Sequence, residues 1–125
     1  VLRHRDRHGR RLAKSLEYDW AELIEIAHNA ILRSTIHKAP KLVPQIENIR
    51  YELFDLPNLE ELSLFKKPPM ADARAVKDLI QVSIFRRPIE VKSKFAQEKV
   101  ALIRLAVGEA LAELLNVDPK VFSGD

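Results

Sequence analysis

Apolar residues recur at helical spacing from Trp20 to Ile31. Trp20, Leu23, Ile24, Ala27, Ala30 and Ile31 make one stripe, and Glu22, Glu25, Asn29 and Arg33 lie opposite. That pattern predicts an amphipathic helix with one side on a core. Asp19 with Glu22 three residues later has the spacing of a capping box, so the helix is expected over about Asp19 to Ser34, with Trp20 as its core anchor. Pro40 and Pro44 bracket the next connection, and Pro44 suits an early helical position because its missing N–H has no intrahelical acceptor there. Ile46, Ile49 and Leu53 then predict a helix over Gln45 to Phe54, broken by Asp55, Pro57 and Asn58. Asn58 and Glu61 signal a short capped helix through Leu59 and Leu62, ended before Pro68 and Pro69.

Residues 71–87 fit two periods. Val76, Leu79, Ile80 and Ile84 recur as on a helix, whereas Ile80, Val82 and Ile84 alternate as on a strand. The β-branched content favours a strand at about 80–85, closed by Pro88. The last and longest element is expected from Glu90 or Lys94 to Leu115, with its main stripe at Val100, Ile103, Val107, Ala110, Leu111 and Leu114. Leu102 and Leu105 fall near the other side, so this helix is apolar over most of its circumference. It is therefore either central or part of an interface between copies. Asn116 and Asp118-Pro119 stop it. The fold class expected is mainly α: a small helical bundle with at most one or two short strands, at about 80–85.

Composition changes this picture only by exclusion. A chain of 125 residues has room for one domain, and 46% hydrophobic with 31% charged residues is a globular balance. No cysteine is present, which removes disulfides, thiolate metal sites and thiol nucleophiles. Three glycines make no phosphate-cradling loop. No apolar run reaches the length of a membrane span, so no membrane partner and an intracellular setting are expected.

Charge changes it more. Within residues 1–14, Arg3, Arg5, Arg7, Arg10, Arg11 and Lys14 stand against Asp6, a local charge of +5 in a chain of net +3; the other residues sum to −2. Such a segment repels itself and has little to bury, so 1–14 is expected as a flexible or partner-ordered basic arm and 15–125 as a single helical domain. Arginine's planar fork suits phosphate, which makes nucleic acid the expected partner. Arg86 and Arg87 are a second basic pair that would extend the phosphate-binding surface. Of the eight aromatic side chains none lies in the arm, so base stacking is not the expected mode.

Three local patterns carry resemblances. Asp78, with Glu90-Val91-Lys92 downstream, resembles the metal site of the PD-(D/E)XK nucleases. That resemblance implies Asp78 and Glu90 as Mg²⁺ ligands and Lys92 beside the attacking water. Residues 109–123 resemble the helix-turn-helix of Cro-type repressors, which would bring Lys120 and Ser123 near DNA. A strand at 80–85 before a helix near Pro88 is similar to a ribbon-helix-helix half, with Gln81, Ser83 and Phe85 outward. The histidines do not have metal-ligand spacing, and His28 reads as a boundary residue of its helix.

The leading expectation is a non-enzymatic nucleic-acid-associated module without a cofactor, contacting phosphates through Arg3, Arg5, Arg7, Arg10, Arg11, Lys14, Arg86 and Arg87. Its alternatives are a protein–protein assembly domain, self-associating through the 94–115 helix, and the Mg²⁺-dependent nuclease with Asp78, Glu90 and Lys92 as catalytic residues.

Overall fold

The computed structural model of the chain describes residues 11–55 and 69–123, with residues 11–19 described by backbone alone. The arm up to Arg10 and the short helix expected after Asn58 lie outside the described residues. The element order is α1 (Arg11–Lys38), a 3₁₀ turn (Pro40–Leu42), α2 (Val43–Glu47), β1 (Arg50–Phe54), β2 (Ala71–Val76), β3 (Leu79–Phe85), α3 (Arg86–Lys92), α4 (Ala96–Leu115) and α5 (Lys120–Ser123). Helix dominates, as expected. The sheet is larger than expected: three strands in the order β1-β3-β2, with β3 parallel to β1 and antiparallel to β2.

β3 is where the alternation placed it. Ile80, Val82 and Ile84 point into the core at 6%, 0% and 0% exposure, which rules out the helical period for this segment. The two unexpected strands flank it. β1 occupies the end of the expected Gln45–Phe54 helix, which stops at Glu47. There the Asn48 side-chain amide donates to the Pro44 carbonyl at 2.8 Å, occupying one of the carbonyls the last turn leaves free. Beyond it Tyr51 and Leu53 turn inward against the core while Arg50, Glu52 and Phe54 stay exposed, a period of two that pairing with β3 enforces. β2, Ala-Asp-Ala-Arg-Ala-Val, has weak strand propensity. It is a strand because all six residues pair with β3, and Ala71 and Ala73 are small enough to lie beneath α4.

The β2–β3 connection is two residues, Lys77 and Asp78, with Val76 paired to Leu79. Lys77 has φ 59°, the left-handed region that such tight turns require and that a side chain resists.

α1 spans 28 residues and begins at Arg11, upstream of Asp19. Arg11-Leu12-Ala13-Lys14-Ser15-Leu16-Glu17 consists mostly of strong helix formers, which carry the helix past the expected cap. Arg11 and Lys14, placed in the arm by charge, therefore belong to its backbone. The long C-terminal helix is also split: α3 ends at Lys92, Ser93 is extended, and α4 restarts at Ala96. The Glu98 carboxylate marks that restart by accepting the backbone N–H groups of Lys94 and Phe95 at 2.6 and 3.3 Å.

The core gathers Trp20, Ile24, Ala27 and Ile31 from α1, Ile46 from α2, the inward row of β3, Ile89 from α3, Ile103, Val107 and Leu111 from α4, and Phe122 from α5. α4 packs on α1, on β2 and on α5. Its central place accounts for the buried Ile103, Ala106, Val107 and Leu111, whereas Ala101 and Leu105 stay exposed. Ser34 of α1 donates its hydroxyl to the Val121 carbonyl at 2.6 Å, and Lys38 Nζ donates to the Lys120 carbonyl at 3.0 Å, fastening α5 to the C-terminal end of α1.

Candidate nucleic-acid interface

The structure separates the expected phosphate contacts into three groups. Arg3, Arg5, Arg7 and Arg10 lie outside the described residues. Arg11 and Lys14 stand one turn apart on the α1 backbone. Arg86 and Arg87 open α3, directly after β3.

The last two differ in what their side chains do. Arg86 is half-buried, and its guanidinium forms an ion pair with Asp55 and lies 3.9 Å from the Glu90 carboxylate. The Asp55 carbonyl also accepts the Arg87 backbone N–H at 3.0 Å. Asp55 thereby ties the end of β1 to the start of α3. A phosphate would have to displace Asp55 to reach Arg86, so Arg86 holds structure first. Arg87 is exposed.

The nuclease residues are placed differently from what that resemblance requires. Glu90 and Lys92 are on helix α3, not on a strand, and two residues along a helix turn about 200° apart, so they do not share a face. Glu90 instead approaches Arg86. Asp78 is exposed in the β2–β3 turn. No group of three or more His, Asp or Glu side chains able to hold a metal occurs among the described residues.

The two DNA-reading patterns also meet specific obstacles. β3 is the central strand, paired on both edges, so it cannot enter a groove as a free ribbon. Gln81 donates its side-chain amide to Glu52 at 2.6 Å, and Phe85 is buried. In the C-terminal pattern, α5 is one turn long and is held against α1 by Phe122, which is fully buried, and by the Ser34 and Lys38 hydrogen bonds. Lys120 and Ser123 are exposed, but the helix carrying them is docked rather than projecting.

Sequence reasoning placed His28 correctly at a boundary and missed its partner. Tyr51 of β1 sets its hydroxyl 2.7 Å from His28 Nδ1, with the rings edge-to-face at 5.4 Å. Burial lowers the His28 pKa below its ordinary value, with Glu25 opposing, and burial raises that of the Tyr51 phenol. A neutral imidazole and a protonated phenol share one hydrogen bond there, whose direction follows the imidazole tautomer. The period-two exposure of Tyr51 and Leu53 was the available signal, hidden by the Ile46-Ile49-Leu53 helical spacing.

Comparison with family models, with curated proteins and with solved structures gives no match for this chain. No helix among the described residues is long and apolar enough to cross a membrane.

Proposed function

We propose that this chain is a non-enzymatic, nucleic-acid-associated binding module. In this reading Arg3, Arg5, Arg7, Arg10, Arg11 and Lys14 hold phosphates while the helical body orients them. The observation that carries the reading is the charge layout: +5 within fourteen residues, joined to a body of −2. A body of that sign repels nucleic acid weakly, so attraction is concentrated at one end of the molecule. Because Arg11 and Lys14 stand on the α1 backbone, phosphates engaged there are fixed relative to the core that Trp20 and Ile24 anchor. Arg87 adds an exposed cation; Arg86 adds one only at the expense of its Asp55 pair. The mechanism is electrostatic anchoring, needs no cofactor, and suits an intracellular protein.

The test is fluorescence anisotropy with a labelled duplex and a labelled single strand, comparing the wild type with a variant carrying Arg3, Arg5, Arg7 and Arg10→Ala. None of these positions lies within Arg11–Lys38, and alanine favours helix, so that element is left intact. The wild type is expected to bind both and the variant to bind at least tenfold more weakly. Equal binding by the two proteins contradicts the reading.

A second reading, self-association, is favoured by the exposure of Val91, Phe95 and Leu105 at 83%, 65% and 50%. These positions give it a surface although α4 is largely covered from within. Light scattering over a range of concentrations decides it: a mass that doubles supports it, and a constant monomer mass removes it.

A further inference from the structure

β2 is an edge strand: β3 flanks it on one side, and among the described residues no strand flanks it on the other. The ladder with β3 decides which of its backbone groups face outward. Met70 and Phe85 continue that register by one step, and the Phe85 N–H donates to the Met70 carbonyl at 2.9 Å. Directions alternate along an antiparallel ladder. Asp72, Arg74 and Val76 therefore also turn their backbone groups to β3, whereas Ala71, Ala73 and Ala75 turn theirs to the outer edge. Side chains alternate as well. Ala71 and Ala73 pack against the core, so Asp72 and Arg74 share the opposite face, where they form an ion pair at 3.1 Å and stay 46% and 57% exposed.

We propose that β2 pairs antiparallel with β2 of a second copy about a two-fold axis at Ala73, joining two three-stranded sheets into one. The outward backbone groups meet only if Ala71, Ala73 and Ala75 face the same set in the partner, which puts the axis on a residue rather than between two. An axis at Asp72 opposes two carboxylates, and one at Arg74 opposes two guanidiniums. At Ala73, Asp72 stands opposite the partner's Arg74, and by symmetry Arg74 stands opposite the partner's Asp72. In that register Ala73 exchanges backbone hydrogen bonds with the partner's Ala73, and Ala71 with the partner's Ala75. The charged residues take the intervening sites, where side chains of opposite strands come closest. Backbone direction and charge thus select one register and one occupant, a second copy of this chain. The joint uses none of the residues assigned to nucleic acid and none of Val91, Phe95 and Leu105, so it stands or falls separately from both readings above.

Charge exchange across the joint tests the proposal, read as mass against concentration by sedimentation equilibrium. The wild type is expected to reach a dimer mass. Asp72→Arg sets two pairs of cations opposite each other, and Arg74→Asp sets two pairs of carboxylates opposite each other. Each variant alone is expected to dimerise about tenfold or more weakly than the wild type. Mixed in equal amounts, the two are expected to recover a dimer, because every opposed pair is then of unlike charge. The chain carrying both substitutions is expected to dimerise as the wild type does. Hydrogen exchange of the wild type adds a readout that needs no variant: protection of the Ala71, Ala73 and Ala75 amides is expected to rise with concentration, while that of Asp72 and Arg74 changes less. A mass that stays monomeric overturns the proposal, as do single variants that dimerise like the wild type, a mixture no more dimeric than its components, or alanine amides indifferent to concentration. A dimer that Phe95→Gln dissociates and both charge reversals leave intact also overturns it, because the copies then meet through α4.

Discussion

Single residues in this molecule carry strain and titration that the chain pattern does not display. Lys77 holds φ 59° in a two-residue turn where glycine is the usual occupant. Replacing it with glycine removes a conformational cost of about 1 kcal/mol and returns part of that as unfolded-chain entropy. Lys77→Gly is therefore expected to raise the urea midpoint, by a stability gain of about 0.5 kcal/mol; a loss of stability would show that the lysine side chain itself holds the turn. His28 and Tyr51 set the pH dependence from opposite sides. Burial lowers the folded-state pKa of His28, so below its unfolded value near 6.5 the unfolded chain takes up the proton more readily and stability falls as pH drops. Tyr51 has a raised folded-state pKa, so above its unfolded value near 10 the unfolded chain loses the proton first and stability falls as pH rises. The plateau between these values is expected in urea titrations at pH 5, 7.5 and 10.5, and an NMR titration of His28 should give a midpoint below 6.5. Tyr51→Phe keeps the ring and removes the hydroxyl, with an expected loss of about 1 kcal/mol and a displaced His28 midpoint.

Elements follow from these residues unevenly. The core face of α1 was legible because Trp20, Leu23, Ile24, Ala27 and Ile31 keep one period without interruption, and all five are buried. β3 was legible for the same reason at period two. The start of α1 was not, since a capping box is a permissive signal that upstream helix formers override. β1 and β2 were not legible because their strand state is made by β3 on either side, and pairing across distant sequence leaves little local trace. The candidate interface was legible only as a count of charges. That Arg86 is held by Asp55 depends on where β1 ends, and this is a tertiary fact. One glycine shows how closely the elements fit: a Cβ at Gly108 of α4 would stand 3.3 Å from the Phe122 Cβ on α5. A valine there has to push α5 away from the Ser34 and Lys38 hydrogen bonds that seat it. Gly108→Val is expected to cost about 1–3 kcal/mol and to speed hydrogen exchange at Val121 and Phe122. Unchanged exchange in the variant would mean that α5 accommodates the added bulk without shifting.

At the scale of the whole molecule the arrangement is asymmetric: a small α-rich body with a mixed three-stranded sheet, weakly acidic overall, and a basic segment that runs into its longest helix. The central claim is that this segment binds nucleic acid through phosphates. Counterion release makes that claim quantitative, because the slope of log K against log salt reports the number of phosphates neutralised. The decisive measurement is the affinity for a labelled duplex between about 50 and 200 mM salt, for the wild type and for the variant with Arg3, Arg5, Arg7 and Arg10 replaced by alanine. Six cations engaged on a duplex predict a slope of about −5, and the two left on the α1 backbone predict about −2. A slope near zero, or one that the substitutions leave unchanged, would contradict the account.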